Sequence, residues 1–371
     1  MTLIIFFLIL SILVLIHEFG HFFTAKKSGI TVEEFGLGIP PTAFKKKFGD
    51  TTYSLNWLPL GGFVKLYGED SFDSNVENHP NSYSSKPWYV RLLVIIAGVV
   101  MNLVFAVILY YIFFISNNFK SYTMPVIYDH HFLFGNKIYS DTTITGFSDE
   151  SNLKNLNILP GDSILSVNGK NVKDVQDIKK FVKENPDIAN VTIKKLNSNE
   201  INEIFVKPIK NENQEWVLGV YLSKSVVLTY DKPYQKIFSG FMHTYNMFFY
   251  STGSLYHLIA MSFKNQDASL VSQGVSGPVG IYNVVGNIVQ ESNNNLFLTL
   301  LDFTALLSIS LAFINMLPIP ALDGGRLIFI LIEGIRSGKK INRELEAKIH
   351  GYGMIFLLGL FVLVTIKDLF Q

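Results

Sequence analysis

Two histidines and a glutamate near the start of the chain have the types and the spacing of a zinc site. They form the pattern His17-Glu18-Phe19-Gly20-His21, inside an almost wholly apolar run from Thr2 to Phe23. On a helix, His17 and His21 share a face, so both imidazoles can bind one zinc ion. Glu18 then lies beside the metal, where a carboxylate can act as a general base. The alternative is a pair of core histidines with a buried glutamate, but ionisable groups are expensive in a membrane segment.

A catalytic zinc site needs a third protein ligand and an open position. The chain contains no cysteine, so the third ligand must be an imidazole or a carboxylate. Asp323 is the outstanding candidate, because it follows two prolines that interrupt the apolar stretch Leu296 to Ile332. A broken membrane helix that carries a carboxylate usually lines a functional cavity. The competing interpretation is a kinked packing helix in which Asp323 is neutral or paired with Arg326.

The composition indicates an integral membrane protein. Of 371 residues, 49% are hydrophobic and 16% are charged, and the mean hydropathy is +0.29. The net charge of +1 gives no reason to expect a nucleic-acid partner. Long apolar runs predict four spanning helices, at Thr2–Phe23, Trp88–Ile115, Leu296–Ile332 and about Tyr352–Ile366.

The distribution of charge predicts the orientation of these spans. Residues 26–91 are polar and rich in lysine, which is typical of the cytoplasmic side, whereas residues 120–230 should be a soluble domain outside. The segment Ile237–Phe263 is long enough to span, but a span there would carry Asp323 away from His17 and His21. We therefore expect it to lie on the outer membrane surface. Its His243 is predicted to be interfacial and not a metal ligand.

Two short β-prone runs, Thr52–Leu55 and Gly62–Tyr67, flank a proline- and glycine-containing segment at residues 56–61. This pattern predicts a hairpin or loop that dips into the membrane. One interpretation is an edge strand that pairs with an extended peptide. A peripheral hairpin packed for stability fits the sequence equally well.

The predicted outer domain has a mixed pattern of strands and one helix. Leu159–Gly169 contains a turn, a short strand with alternating apolar positions and an Asn-Gly turn. Asp174–Glu184 is predicted to be an amphipathic helix, and Val191–Lys195 and Ile201–Val206 are predicted to be strands.

With these motifs the chain resembles the site-2 proteases, in particular the bacterial regulator-of-sigma-E type of intramembrane zinc metalloprotease. His17–His21 is similar to the first motif of that family, and Asn315–Gly325 is similar to its Asn-x-x-Pro-x-Pro-x-Leu-Asp-Gly-Gly motif. Leu159–Gly169 looks like the core of a PDZ domain, and Ser276–Ile281 is similar to a further family segment.

The resemblance implies that His17, His21 and Asp323 are ligands of Zn²⁺ and that Glu18 is the base. It also implies that Asn315 holds the substrate and that the run beginning at Gly62 is a membrane-reentrant β element. The corresponding substrate-binding candidates are Gly62, Phe63, Val64 and Lys65. Two departures are visible: Gly98-Val99-Val100-Met101-Asn102 lacks a proline found in many relatives, and the chain has room for one PDZ domain instead of two.

The expected fold is a polytopic α-helical membrane protein with four transmembrane helices, an inserted extracytoplasmic PDZ domain (α+β) and a membrane-reentrant β element. The expected divisions are a first membrane half at 1–119, the PDZ domain at 120–230, and a second half at 231–371 with an interfacial helix and two spans.

The expected activity is regulated intramembrane proteolysis in the bacterial inner membrane, on single-span substrates such as a truncated anti-sigma factor or remnant signal peptides. The expected partners are these transmembrane proteins, membrane lipid and a possible peptide in the PDZ groove. Three alternatives stay open: an enzyme of this fold with other substrates, a membrane PDZ scaffold with a vestigial zinc site, and a zinc transporter.

Overall fold

The computed structural model describes residues 1–69, 73–148, 150–153, 156, 158, 161–195, 200–211, 213–266, 274–291, 295–339 and 341–370. Leu159 and Pro160, which begin the predicted PDZ-like motif, lie outside the described residues. The chain divides into two compact units. The first contains Met1–Tyr110, Met247–Glu291 and Leu300–Gln371, and the second contains Tyr111–Asn246 and Ser292–Thr299.

The described α-helices are α1 (Thr2–Lys27), α2 (Ser74–Glu77), α3 (Trp88–Ser116), α4 (Val175–Glu184), α5 (Pro233–Ile237), α6 (Ser239–Asn265), α7 (Pro278–Glu291), α8 (Leu296–Met316), α9 (Asp323–Ile335) and α10 (Arg343–Leu369). A short 3₁₀ helix covers Tyr83–Ser85. The described strands are β1 (Val32–Phe48), β2 (Thr51–Leu66), β3 (Met124–Pro125), β4 (Asn136–Phe147), β5 (Ser163–Val167), β6 (Lys170–Asn171), β7 (Ala189–Lys194), β8 (Ile201–Val206), β9 (Ile209–Lys210), β10 (Trp216–Val217) and β11 (Val220–Thr229).

Within the described part of the chain, four helices are long and apolar enough to cross a membrane, namely α1, α3, α8 and α10. The prediction of four spans is therefore confirmed. The third span is shorter than expected. It ends at Met316, because Pro318 and Pro320 cannot continue the helix, and α9 begins anew at Asp323.

The strands β1 and β2 form an antiparallel pair that folds back on itself. Phe35 in the first half of β1 lies opposite both Tyr53 and Val64 of β2, and Phe44 in the second half lies opposite Leu55. The pairing therefore gives four segments in the lateral order 42–48, 51–56, 32–37 and 62–66. The sequence predicted a hairpin or a loop, and the hairpin is wrong, because Thr52–Leu55 and Gly62–Tyr67 are not paired with each other. Both runs flank the first half of β1 instead, and this non-local pairing leaves no periodic signal in the sequence.

The second unit is a mixed α+β fold. Its main sheet has the order β3-β11-β4-β5-β7-β8, with β6 paired to β5. Along β7 the side chains of Ala189, Val191 and Ile193 are buried in alternation, as expected for a strand with one face on a core. The helix α4 packs Ile178 and Val182 into the same core. The predicted helix and the two predicted strands of this region are confirmed.

The helix α10 is attached to the first unit near its two ends. At one end, His350 Nδ1 accepts a hydrogen bond from the backbone N–H of Ala321 (2.9 Å). At the other end, the Asp368 carboxylate accepts hydrogen bonds from the N–H groups of Gly277 and Gly280, both at 2.8 Å. Between these points the large apolar side chains of α10 are mostly exposed within the protein, as expected for a helix that faces lipid.

Candidate metal centre

The two spanning helices α1 and α3 approach each other at backbone distance. A Cβ added to Gly20 of α1 would lie 2.3 Å from the carbonyl oxygen of Ala97 on α3, so only glycine allows this contact. Because Gly20 adjoins His21 in the helix, the close approach brings the two histidines of α1 against α3, where His21 contacts Val94 and His17 contacts Asn102. A Cβ added to Gly98 would likewise lie 2.4 Å from His21 Nε2, so Gly98 leaves the space that the imidazoles occupy.

Asp323 is brought to the histidines by the break after α8. The turn at residues 317–322 separates α8 from α9, and Asp323 is the first residue of α9. Gly324 and Gly325 permit the turn, because Cβ atoms there would lie 2.1 Å from Leu317 O and 2.5 Å from Ile319 O. A carboxylate in the first turn of a helix is also favoured by the helix dipole.

Three side-chain atoms meet in a small triangle. His17 Nε2 lies 3.0 Å from Asp323 Oδ2, His21 Nε2 lies 3.3 Å from the same oxygen, and the two Nε2 atoms are 3.2 Å apart. Ligands at about 2.0–2.1 Å from a tetrahedral zinc ion lie roughly 3.3 Å from one another. The triangle therefore has the dimensions of three zinc ligands.

The proton on His21 supports the same interpretation. Its Nδ1 lies 2.8 Å from the backbone carbonyl of Val94, so Nδ1 carries the proton and the neutral ring presents a lone pair at Nε2. Asp323 Oδ2 has no hydrogen-bond donor among the described residues. Lone pairs at this separation repel unless a cation lies between them, and zinc satisfies that requirement.

Asn102 of α3 fixes the other histidine. Its side-chain amide lies 3.2 Å from His17 Nδ1, and its Oδ1 is a buried oxygen without a partner in the described structure. Turning the amide by 180° makes Oδ1 the acceptor of an Nδ1–H bond and leaves His17 Nε2 free for the metal. The Ser308 hydroxyl of α8 donates to the Asn102 carbonyl (2.8 Å). An asparagine inside a membrane span is typical of an interhelical hydrogen bond, which Asn102 makes, but no local pattern reveals that its partner is His17.

Glu18 follows His17 in α1, and Asn315 of α8 contacts the triangle. A Cβ added to Gly62 of β2 would lie 3.2 Å from Glu18 Cγ, so the backbone of β2 passes directly beside the proposed base. The Asn315 amide lies 3.3 Å from His17 Nε2. Val64 packs further along the strand against the cluster that contains Ala25 and Ile30.

The side chains of the other substrate-binding candidates in β2 contact different parts of the protein. The Phe63 ring lies against Gly36, whose added Cβ would be 2.4 Å from it. The Lys65 ammonium lies 2.8 Å from Glu33 Oε2 in a largely exposed ion pair.

Two ion pairs hold the elements around the centre. Arg326, three residues after Asp323, binds Glu69, which follows β2. The buried Arg91 of α3 binds the buried Glu333 of α9. Breaking a buried pair of this kind by removing one partner typically costs about 3–5 kcal/mol, because it leaves an uncompensated charge. Arg326 thus pairs with Glu69, whereas Asp323 lies against His17 and His21.

A three-residue centre of this chemistry beside a carboxylate, set among apolar helices, is typical of a membrane-bound metallopeptidase. A sequence model of peptidase family M50 matches residues 5–360. The chain belongs to peptidase family M50, the site-2 proteases, and it is a zinc-dependent metallopeptidase of a multi-pass membrane type.

Individual relatives agree with this assignment. A Fusobacterium nucleatum protein whose name describes a zinc metalloprotease is 33% identical over 373 residues, covering 100% of this chain and 99% of the relative. The chloroplastic membrane metalloprotease ARASP of Arabidopsis thaliana is 32% identical over 365 residues, covering 97% and 77%. The regulator of sigma-W protease RasP of Bacillus subtilis is 28% identical over 448 residues, covering 99% and 98%.

Proposed function

We propose that the chain cleaves peptide bonds inside the membrane-spanning segments of protein substrates, with Zn²⁺ held by His17, His21 and Asp323. The observation that carries this proposal is the triangle of ligand atoms beside Glu18. These residues belong to α1, a candidate spanning helix, and to the first turn of α9. Glu18 is about 12 Å along α1 from Lys26, at a rise of 1.5 Å per residue, so hydrolysis takes place below the membrane surface.

Each residue has a separate task in the reaction. Bound Zn²⁺ would polarise the scissile carbonyl and make water more acidic. Glu18 accepts a proton from the attacking water, whose oxygen forms a bond to the carbonyl carbon. Glu18 then gives the proton to the leaving nitrogen as the carbon–nitrogen bond breaks. Val94 and Asn102 keep the two imidazoles oriented throughout.

The segment 62–66 of β2 is proposed to bind the substrate backbone. It pairs on one side with the first half of β1, and an extended peptide can add to the other side as a new strand. Gly62 lacks a side chain at the point nearest Glu18, so a paired peptide would pass close to the base. We assign Gly62, Phe63, Val64 and Lys65 to this β element, which would be membrane-reentrant, and Asn315 to the contact with the substrate.

We also propose where the other regions of the chain lie relative to the membrane. The region 120–230 would be an extracytoplasmic PDZ domain that binds a peptide or restricts the size of admitted substrates. The regions 1–119 and 231–371 would be the membrane halves, with α6 lying on the outer surface. The setting would be a bacterial cytoplasmic membrane with single-span substrates, in regulated intramembrane proteolysis. The relative named as a regulator of sigma-W protease supports a role in regulated proteolysis.

The test is cleavage of a single-span substrate by the purified full-length protein and its Glu18→Gln variant. The substitution keeps the shape and both histidines, so zinc content and substrate binding should persist. Cleavage should fall by about 10²–10⁴-fold, because the general base is lost. The exposed Glu203→Gln is a matched control and should cleave normally. Near-normal cleavage by Glu18→Gln would contradict the mechanism, and no cleavage by the unmodified protein would favour the scaffold or transporter alternatives.

A further inference from the structure

The second half of β1, residues 42–48, is an exposed edge with an unusual set of side chains. Phe44 is 62% exposed, and Leu55, its partner on β2, is 49% exposed. Phe44 is followed directly by Lys45, Lys46 and Lys47, which are all exposed. We name residues 42–48 the lysine edge. Apolar side chains this exposed, next to consecutive cations, mark an interaction surface.

The pairing of the strands shows which part of α1 lies at the same depth as each residue of the lysine edge. Residues that pair side by side across the strands form one row. The row that contains Phe44 and Leu55 continues through Leu37 to Gly62, and Gly62 lies beside Val14 and Glu18 of α1. This row is therefore level with the middle of a spanning helix, where the surroundings are hydrocarbon.

The row that contains the lysines lies nearer the end of α1. Lys46 is opposite Tyr53, and the Tyr53 ring lies 6.1 Å from that of Phe22. Phe22 is one turn before Lys26 and Lys27, which end α1. Basic residues at the end of a span occupy the layer of lipid headgroups. Lys46 lies about 7 Å further along the strand than Phe44, at about 3.3 Å per residue. Lysine side chains extend from this level to the headgroup phosphates.

We propose that the lysine edge docks against the anionic lipids of the membrane, with Phe44 and Leu55 in the acyl chains and Lys45, Lys46 and Lys47 on the headgroup phosphates. Opposite charge and matching depth favour lipid over a protein partner. The backbone of the edge is compatible with this position, because Pro40 and Pro41 at its deep end have no N–H group to leave unpaired. The proposal rests on the position of the sheet and not on peptide hydrolysis.

The absence of cysteine allows a direct measurement of depth. Single-cysteine variants of the full-length protein, Ala43→Cys in the deep part and Asp50→Cys beyond the lysines, would carry a nitroxide spin label in lipid nanodiscs. A spin label that is more accessible to oxygen lies in the hydrocarbon of the membrane. A spin label that is more accessible to a nickel chelate lies in water. In nanodiscs that contain phosphatidylglycerol, the label at 43 should favour oxygen and the label at 50 should favour the chelate.

Charge removal provides the decisive comparison. Replacement of Lys45, Lys46 and Lys47 by Gln, combined with Ala43→Cys, should lower the ratio of docked to undocked label on the order of a hundredfold. Each lysine near an anionic surface contributes about fivefold to that ratio. Phosphatidylcholine nanodiscs or high salt should shift the unmodified edge in the same direction. The matched control replaces Lys173, Lys180 and Lys183 of the second unit, which are also exposed, and should leave the label unchanged.

Two results would overturn the proposal. The first is a label at position 43 that is open to the nickel chelate in anionic nanodiscs. The second is a label protected equally in both lipids and unaffected by loss of the lysines, which would show that the lysines make no contact with lipid phosphates that holds the edge in place. Zinc content and helical content of each variant show that the fold is retained, so a negative result cannot be assigned to misfolding. Cleavage activity is not needed for either measurement, so failure here leaves the proposed hydrolysis unaffected.

Discussion

At the scale of single residues, the metal centre combines His17 and His21 of α1 with Asp323 of α9, and Asn102 of α3 contacts His17. The types and spacing of His17, Glu18 and His21 were sufficient to predict a zinc site, and the prolines that interrupt an apolar stretch pointed to Asp323. The structure brings these ligand atoms within 4.8 Å of one another. Asn102 could not be assigned in advance, because its contact with His17 depends on how α3 packs against α1. The role of each residue in metal binding stays a prediction.

Substitution of Gly98 tests how closely α3 packs against the metal centre. Gly98→Ala should reduce zinc affinity by about tenfold or more, as changes in the support of a metal site do. The physical reason is that the new Cβ would lie 2.4 Å from the ligand atom of His21. The measurement is zinc bound per chain against a competing chelator. Gly359→Ala is the control, since a Cβ there has no neighbour within 4 Å among the described residues. Equal zinc binding by both variants would contradict the assignment of His21 as a ligand in this geometry.

The helices were more predictable than the strands, for a physical reason. A spanning helix satisfies its backbone within the segment, so length and hydropathy are enough to find it. Proline and glycine also correctly predicted the break between α8 and α9. By contrast, β2 pairs with both sides of the first half of β1, and such pairing depends on partners distant in the chain. The sequence did not reveal that His243 of α6 is buried within the protein, with 1% exposure, and its position at the membrane interface stays a prediction.

The attachment of α6 within the second unit predicts a dependence of stability on pH. His243 contacts the Tyr230 hydroxyl (3.1 Å) and the Phe114 ring, and burial lowers the pKa of its imidazole to about 3. The unfolded chain binds a proton below pH 6.5 or so, whereas the folded chain does not bind it until about pH 3. Stability is thus highest above pH 6.5 and decreases as the pH falls towards 3, by about 1.4 kcal/mol per unit.

Thermal unfolding between pH 7 and pH 5 would measure this dependence. His243→Phe should flatten the profile, because the replacement has no proton to bind. His131→Gln, at an exposed histidine of the same unit, should leave the profile as it is. A profile that keeps its slope in His243→Phe would assign the acid sensitivity to other groups.

At the scale of the whole molecule, orientation in the membrane is the property that links the parts. The number of spans followed from composition, and membership of the M50 family followed from two motifs at opposite ends of the chain. Sidedness stays a prediction from the distribution of lysine and arginine. Sidedness matters because the metal ligands in α1 and α9 can lie at one depth in the membrane only if α6 does not span it.

Reporter fusions test that orientation. Fusions after Lys45 and Lys339 should report the cytoplasm, because both positions lie in basic segments. Fusions after Lys183 and Asn265 should report the outside. A cytoplasmic signal at Asn265, with the other three as expected, would make α6 a span and would require a different arrangement of the membrane halves.

The attachment of α10 has a practical consequence for handling the purified protein. Since this helix is tied by hydrogen bonds at its two ends while its apolar sides face outward, the surrounding amphiphile supplies most of its packing. A harsh, short-chain detergent should therefore release α10 before the rest of the first unit unfolds. Limited proteolysis would then cut first on either side of α10, and a preparation could lose this helix while its zinc content still looked normal.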